Sequence, residues 1–511
     1  MENKRPNLLL FVSDHFRSEA VHHLGNGASV TPNIDALVSD DAISFSNVFC
    51  QNPVCVPSRC SFLSGNYPHV NGFRTMHHLM SAQDDNLLKE LKKNGYHVYF
   101  GGKNDVFKEE VDLSLYCDDR SDAYSELSCI AQGVPMKKGY RPILQGVTQQ
   151  MAIEAANAKE ASRHTQDGKN YYSFYQGIVD DTNPFAIGFM GAEDAQIKDA
   201  IHYLENYDGD APLCMYLSLT LPHPFYACTK EDAAVIDQEK LSSMVTLTPS
   251  QAALKPSIMQ GMRENYQLYH WSMEELLAIK KTYLAMVHHV DENFGKVIEA
   301  FRHKQVYDDT AVFLFSDHGD YAGDYGIAEI NQNTFEDVLT KVPLVIKPPK
   351  SMKVRPGIRS ALVELIDIPQ TISEIARIPL SYPQFGRSLC SQFMTIKEHR
   401  RYVHCEGGRR EDETHCMDGG HPKEHLYWPR TSEQMKMPQH TKAVMIRSHH
   451  YKYVKRLYEL DEFYDLTRDP LELNNRIQEE QYQEIISEMK EELLNFMIET
   501  CDQVPYHRDE R

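Results

Sequence analysis

The hydrophobic residues of this chain occur in short runs that are separated by longer segments with helical periodicity. Five apolar runs predict buried parallel strands, at residues 8–12, 97–100, 213–220, 311–315 and 343–346. Apolar positions three or four residues apart predict helices over residues 192–206 and 273–301. Strands that alternate with helices are typical of a doubly wound α/β sheet, and we expect that fold class here.

Two segments depart from this alternation. Residues 106–191 are rich in Tyr, Gln, Ser and Asp, and they predict an insertion over the sheet edge. Beyond about residue 390 the pattern changes to a polar segment, two strand-like runs and a helix, at residues 406–425, 443–446, 451–455 and 480–500. We therefore predict a larger domain at 1–390 and a C-terminal α+β subdomain at 391–511, packed against each other.

The composition limits the partners that we expect. A chain of 511 residues, 41% hydrophobic and 25% charged, can bury a large core. Its net charge of −20 repels polyanions, so nucleic acid is not an expected partner. The apolar run at 8–12 is too short for a signal peptide, and no stretch reaches the ~18 apolar residues that span a membrane. Eleven scattered cysteines favour a reducing compartment, so we expect a cytoplasmic protein without membrane association.

Candidate metal ligands follow two of the predicted strands. Asp14 comes directly after the first strand, and Asp317 and His318 follow the strand at 311–315. Because loops at the carboxyl ends of the strands of an open α/β sheet converge, these side chains could bind a divalent cation together. Taken singly, Asp14 is equally consistent with a helix N-cap, and Asp317 and His318 with a turn.

A cysteine lies just before a predicted helix start. Cys55 is followed by Pro57 near the first turn and by Arg59 one turn later. A thiol at a helix N-terminus beside an arginine is expected to be acidified and reactive. The alternative is a buried, inert cysteine.

The segment Cys55-Val56-Pro57-Ser58-Arg59 resembles the Cys-X-Pro-X-Arg signature of the formylglycine-dependent (type I) sulfatases of the alkaline phosphatase superfamily. Further segments resemble the same family in the same order, at residues 6–14, 31–35, 316–320, 323–326, 342–344 and 463–470. The resemblance covers most of the chain apart from the insertion and the polar segment. It implies an alkaline-phosphatase-like fold, with a doubly wound, mostly parallel sheet.

The resemblance also implies a chemistry, the hydrolysis of sulfate monoesters of a small sugar or another alcohol. A maturation enzyme would oxidise Cys55 to formylglycine; one hydroxyl of the hydrated aldehyde would attack sulfur, and the other would later expel sulfate. Asp14, modified Cys55, Asp317 and His318 would bind one divalent metal. Calcium is the expected ion, with magnesium or manganese as alternatives.

Three further residues take roles through the resemblance. Arg59 would orient the diol, and Lys103, directly after the strand at 97–100 and its two glycines, resembles the family's sulfate-binding lysine. His223, within Leu-Pro-His-Pro, resembles the histidine that contacts sulfate and the leaving oxygen, as a general acid would. Outside this family context, Lys103 would be a surface lysine and His223 a turn residue.

Three positions depart from the family pattern. Asp105 stands where many sulfatases have a histidine, Ile330 where many have a second lysine, and His15 where many have a second acidic metal ligand. Two alternatives follow, a phosphonate monoester or phosphodiester hydrolase of the same superfamily and a catalytically silent relative that binds an anion. The intact Cys55 and Arg59 argue against the silent relative.

Overall fold

The computed structural model of the chain describes residues 5–161 and 172–506, so that residues 162–171 of the predicted insertion lie outside the described residues. The strands are β1 Asn7–Ser13, β2 Ile43–Phe49, β3 His97–Gly102, β4 Asp119–Ser121, β5 Tyr175–Ile178, β6 Leu213–Ser218, β7 Tyr226–Cys228, β8 Thr310–Ser316, β9 Lys341–Lys347, β10 Gly357–Glu364, β11 Val403–Gly407, β12 Ala443–Arg447, β13 Tyr451–Arg456 and β14 Glu462–Asp465. The α-helices are α1 Pro32–Asp40, α2 Cys55–Ser64, α3 Pro68–Asn71, α4 Leu87–Lys93, α5 Ala123–Gln132, α6 Gln149–Ala161, α7 Met190–Asn206, α8 Lys230–Ala234, α9 Pro249–Ala252, α10 Ser257–Tyr266, α11 Met273–His303, α12 Asp337–Thr340, α13 Asp367–Ala376, α14 Trp428–Gln434 and α15 Gln483–Thr500.

The central sheet has eight strands in the order β10-β2-β9-β8-β1-β6-β3-β4. All neighbouring strands from β8 to β4 are parallel, whereas β9 runs antiparallel to both β8 and β2. The predicted α/β class with a mostly parallel sheet is thus confirmed. The parallel direction predicted for the strand at 343–346 is wrong, because a run buried on both faces has the same apolar pattern in either direction.

Alternate side chains of the central strands enter two separate cores. Leu9 and Phe11 of β1 face the layer that contains α1, α7 and α11, where the Phe11 and Phe294 rings pack edge to face with centroids 5.3 Å apart. Leu8 and Leu10 face the layer of α2, α4 and α13. The long helix α11 starts at a capping box formed by Ser272 and Glu275, which explains its abrupt beginning.

Part of the segment that we predicted to be an insertion belongs to the central sheet. Its strand β4 pairs in parallel with β3 and becomes the last strand of the sheet. Helices α5 and α6 pack in a small apolar cluster that includes Leu127 of α5, Ala152 of α6 and Ala192 of α7. The insertion therefore lengthens the sheet on the side of β3.

A second sheet forms near the C-terminus. Strands β11 to β14 pair antiparallel in sequence order, and α15 packs on them through Met489 and Leu493. This smaller α+β unit confirms the predicted fold class, whereas the division between residues 390 and 391 stays a prediction. No helix in the described ranges is long and apolar enough to cross a lipid bilayer.

Charged groups join the two sheets. The Asp337 carboxylate of α12 accepts hydrogen bonds from Arg447 Nε and Nη2, at 3.1 and 2.9 Å, and from Lys452 Nζ at 2.8 Å. Arg447 and Lys452 belong to β12 and β13 of the small sheet. Burial alone would raise the pKa of Asp337, but these two cations hold it well below its usual range.

We expect Asp337→Asn to destabilise the protein by about 3 kcal/mol, because buried Lys452 and Arg447 lose a charged partner. Urea unfolding followed by fluorescence measures this difference. The matched control is Asp85→Asn, which removes an exposed ion pair with Lys89 and should change stability by less than ~0.5 kcal/mol. Equal stability of the Asp337 variant and the control would contradict this account of the interface.

Candidate active site

The predicted site residues meet at one edge of the central sheet. Asp14 directly follows β1, Lys103 directly follows β3, and Asp317 and His318 directly follow β8. His223 lies in the loop that follows β6. Because these strands are adjacent and parallel, their carboxyl ends deliver all five side chains to the same edge.

Cys55 joins this group from the first position of α2. Pro57 lies in the first turn of that helix, where its missing N–H costs no hydrogen bond. The Cys55 Sγ lies 3.2 Å from His318 Nε2, 3.6 Å from Asp14 Oδ1 and 3.7 Å from Lys103 Nζ. The structure thus brings Cys55 together with the strand-end residues.

The Cys55 thiol is not acidified. Burial raises its pKa well above the ordinary value for cysteine, and the nearby Asp14 carboxylate adds to this effect. The expectation of an acidified thiol is therefore wrong. The guanidinium of Arg59 pairs with the Asp317 carboxylate, so it does not counteract the effect of burial on the pKa of Cys55.

Arg59 is fully buried and holds the acidic groups of the site in place. Its Nε donates to Asp317 Oδ2 at 2.8 Å, its Nη1 donates to Ser218 Oγ at 2.5 Å, and its Nη2 lies 3.4 Å from Asp14 Oδ2. Arg59 and Cys55 are one helical turn apart, so both face the strand ends. The contribution of Ser218 from β6 could not be found from the sequence, because no motif marks it.

Asp14 is a buried carboxylate held between two cations. Lys103 Nζ lies 2.7 Å from Asp14 Oδ2 and 2.9 Å from Asp105 Oδ2. Burial alone would raise the pKa of Asp14, but Lys103 and Arg59 together hold it well below its usual range. Asp14 is therefore ionised at neutral pH.

Lys103 reaches the site because a glycine precedes it. Gly102 has a φ of 95°, and a Cβ at that position would lie 2.2 Å from the Ser218 carbonyl oxygen. The close approach allows the Lys103 amide to donate to the same carbonyl at 2.8 Å. The end of β3 is thereby fixed to the end of β6.

Two imidazole rings present Nε2 to the centre of the site. His15 Nδ1 donates to Asp320 Oδ2 at 2.5 Å, and His318 Nδ1 donates to the Gly319 carbonyl at 2.9 Å. These bonds leave the lone pair of each ring on Nε2. His15 Nε2 is buried and has no hydrogen-bond partner among the described residues. The ring is held there by a left-handed backbone at His15, with a φ of 65°.

Four residues could hold a metal ion. Asp14, His15, Cys55 and His318 each offer one ligand atom, and these atoms lie within 4.8 Å of one another. Asp317 adjoins the group, with its Oδ1 3.8 Å from His318 Nε2 and its Oδ2 bound by Arg59. The unpartnered Nε2 of His15 fits a metal ligand. His15 had stood out in the sequence only as a departure from the family pattern.

His223 closes one side of the site. Its Nδ1 donates to the Pro224 carbonyl at 2.5 Å, and its ring centroid lies 4.2 Å from that of His15 and 5.6 Å from that of Phe189. Burial lowers the pKa of His223 well below the ordinary value for histidine. The free protein therefore carries a neutral ring with its lone pair on Nε2.

The turn that carries His223 is anchored by Glu193 of α7. Its Oε2 accepts hydrogen bonds from the amides of Thr220 and Leu221, at 2.7 and 3.0 Å. Burial raises the pKa of Glu193 to about 7. Glu193 is a positioning residue that the sequence did not reveal, because it lies within a helix far from any motif.

The other two departures from the family pattern differ in their surroundings. Asp105 lies at the site through its ion pair with Lys103. Ile330 is buried in the apolar core of the α11 layer, so this position supplies no cation to the site.

The chain is similar to known proteins over most of its length. The family model described as Sulfatase matches residues 6–378. An N-acetylglucosamine-6-O-sulfatase from Bacteroides thetaiotaomicron is 22% identical, over 98% of this chain and 87% of its own length.

Two solved structures share the fold across almost the whole chain. A phosphonate monoester hydrolase from Silicibacter pomeroyi superposes with a TM-score of 0.71 at 17% identity, covering 98% of this chain and 96% of that chain. A protein in complex with its substrate D-glucosamine-2-N,6-O-disulfate superposes with a TM-score of 0.67 at 18% identity, covering 99% of this chain and 100% of that chain.

Proposed function

The chain belongs to the sulfatase family and is a sulfuric ester hydrolase, and we propose that it cleaves saccharide sulfate monoesters with a formylglycine at position 55. The observation that carries this proposal is the position of Cys55 at the start of α2, where Sγ lies 3.2 to 3.7 Å from His318, Asp14 and Lys103. A formylglycine-generating enzyme would oxidise the thiol. Its product places oxygen atoms where the sulfur now lies.

The two steps of the reaction use the two hydroxyls of the hydrated aldehyde. One hydroxyl loses its proton and attacks sulfur, and the bond from sulfur to the alcohol oxygen breaks. The other hydroxyl then loses its proton while the bond from carbon to the sulfate oxygen breaks, which restores the aldehyde. Arg59 and Lys103 hold positive charge beside the group under attack.

The charges of the site favour esters with a single negative charge. Lys103 shares its ammonium with Asp14 and Asp105, and Asp105 stands at the position where many sulfatases have a histidine. A sulfate monoester carries one charge, whereas a phosphate monoester carries about two at neutral pH and would meet more repulsion from Asp105. Phosphonate monoesters and phosphodiesters are also monoanions, so they form the second candidate substrate class.

A saccharide fits the surface beside His223. The Tyr124 and Phe189 rings lie 5.1 Å apart, and Tyr124 is 45% exposed. Phe189 is buried and the Lys159 ammonium lies over both rings, so Tyr124 is the ring that we propose contacts a saccharide. The glucosamine sulfate chemistry named for the relatives supports the same class.

His223 is positioned to protonate the leaving alcohol. Although burial keeps the ring neutral in the free protein, an incoming sulfate anion raises the pKa of His223 by favouring the charged form. The Pro224 carbonyl binds Nδ1–H and supports that charge. Nε2 then holds the proton that the departing oxygen takes.

We expect the matured enzyme to turn over a sugar sulfate and a nitrophenyl sulfate faster than a phosphonate monoester or a phosphodiester. His223→Ala should lower kcat for the sugar sulfate by about 100-fold, but that for nitrophenyl sulfate by less than about tenfold, because nitrophenolate hardly needs a proton. Steady-state kinetics on the four esters measures both effects.

The matched control is His202→Ala, which removes an exposed histidine from α7. It should leave all four rates unchanged. Faster turnover of the phosphonate or the diester would overturn the sulfate assignment, and equal losses on both sulfates in His223→Ala would overturn the role of the histidine.

We also propose that the site prefers a first-row transition metal, such as manganese or zinc, over the calcium expected from the sequence. Calcium favours oxygen ligands, whereas Nε2 of both His15 and His318 faces the centre of this site. Asp14 and the position of Cys55 complete the set. A bound divalent cation would neutralise charge that develops on the sulfate oxygens.

We expect the wild-type protein to retain manganese or zinc when metal-free protein is equilibrated with equal concentrations of calcium, magnesium, manganese and zinc. His15→Asp should shift the bound metal towards calcium or magnesium, because it replaces nitrogen with oxygen. Elemental analysis after gel filtration measures the content, and His202→Asp is the control. Stoichiometric calcium in both wild type and His15→Asp would contradict the preference.

A further inference from the structure

Arg120 carries a buried charge that has no hydrogen-bond partner in the described part of the chain. It is the central residue of β4 and is only 2% exposed. Its Nε, Nη1 and Nη2 are all buried, and none donates a hydrogen bond to an acceptor among the described residues. The Asp122 Oδ2 lies 3.9 Å from Nη2, and the Asp122 oxygens already accept from Ser125.

Aromatic rings hold this guanidinium by its faces. Arg120 Cζ lies 3.6 Å from the centroid of the Phe100 ring and 4.9 Å from that of Tyr140. Stacking stabilises the charge, but the N–H donors of a guanidinium lie in its plane and point away from the stacked rings. A buried charge whose donors are unpaired is costly, so the edge of Arg120 is suited to an anion.

Arg120 also lines a cavity of about 750 Å³. Three lysines line the same cavity, Lys108, Lys137 and Lys138, and Tyr140 forms part of its wall. Four acidic residues line the cavity as well, and one of them, Glu109, pairs with Lys137 at 3.1 Å; the others are Glu110, Asp112 and Asp118. The volume is in the range of small-molecule sites, and it suits one or two sugar rings.

The cavity and the active site are linked through the segment that carries Lys103. Asn104 lines it and lies between Lys103 and Asp105 in the chain. Arg120 is paired with Phe100 in the sheet, three residues before Lys103, which is about 10 Å along a strand. A substrate that binds both cations would have to span about this distance between its two anionic groups.

We propose that Arg120 and the surrounding cavity form an anion-binding subsite for a sulfate or carboxylate group. The anion accepts hydrogen bonds from the edge of the guanidinium, and the three lysines attract it. The source of the anion is a second charged group of the saccharide whose sulfate ester is cleaved. That assignment of the source rests on the proposed function, whereas the subsite itself does not.

The subsite is tested first by stability in the absence of turnover. Unmatured protein carrying Lys103→Met, which removes one of the two active-site cations and leaves Arg59 paired with Asp317, is unfolded by urea in chloride and in sulfate at equal ionic strength. We expect sulfate to raise the unfolding midpoint of this protein more than that of a protein with a second change, Arg120→Met, in which only the general stabilisation by an excluded salt remains. Arg355→Met, an exposed arginine, is the matched control and should keep the full shift.

The second arm identifies the source of the anion. In matured enzyme without the Lys103 change, Arg120→Met should raise KM for a disulfated disaccharide about tenfold while kcat stays within about twofold, as expected for one lost charge-assisted contact. KM for a monosulfated sugar should not change. In another outcome, Arg120→Met removes its share of the sulfate-induced shift and yet leaves both KM values unchanged. That result would support the subsite, but its ligand would then be a free inorganic anion and not part of the substrate.

The proposal is overturned if two results are found together. Sulfate would raise the unfolding midpoint equally with and without Arg120→Met, and this change would alter KM for the disulfated and the monosulfated sugar by the same factor. Arg120→Lys keeps the charge but removes the planar donor edge, so it should recover little of the sulfate shift. Full recovery by lysine would also count against a site built on that edge. None of the stability measurements depends on sulfatase activity, so failure of the proposed function would not alter them.

Discussion

Four neighbouring strands, β8, β1, β6 and β3, run parallel and end at the same edge of the sheet. That shared direction brings Asp14, Lys103 and His318 together from distant parts of the chain. It also places the charges of Asp14, Asp317 and Lys103 in one small volume beside Arg59, where each charge needs a nearby charge of opposite sign. Lys103 and Arg59 compensate Asp14 and Asp317, and this mutual neutralisation is what allows the edge to be both buried and charged.

Compensation also determines what the site can do. Burial raises the pKa of the Cys55 thiol, so a lowered pKa does not supply nucleophilic power here, whereas the proposed modification of the side chain would. His15 is fixed by Asp320, which leaves its Nε2 free at the centre, and it shares that centre with His318. At Arg120, an aromatic ring stacks on the face of the guanidinium, whereas the N–H groups at its edge have no hydrogen-bond partner among the described residues.

The site was largely predictable because its residues stand at recognisable places in the chain, directly after apolar runs or within the Cys55 to Arg59 motif. The α/β class followed from the alternation of strands and helices. The direction of β9 did not, since a doubly buried run has no directional signal. Strands β2 and β10 were missed because their apolar runs are interrupted, as in Ile-Ser-Phe-Ser-Asn-Val-Phe. Ser218, Glu193 and Arg120 act through tertiary contacts that no local pattern encodes.

The central claim is that the nucleophile is a formylglycine made from Cys55. The most direct test is to prepare batches with different aldehyde contents at position 55, quantified by peptide mass spectrometry, and to measure turnover of one sulfate ester by each. The account predicts a rate proportional to aldehyde content, with almost none in fully unmodified protein, because a thiol cannot supply the second hydroxyl that expels sulfate. Turnover by uniformly unmodified protein at the rate of the matured form would contradict it.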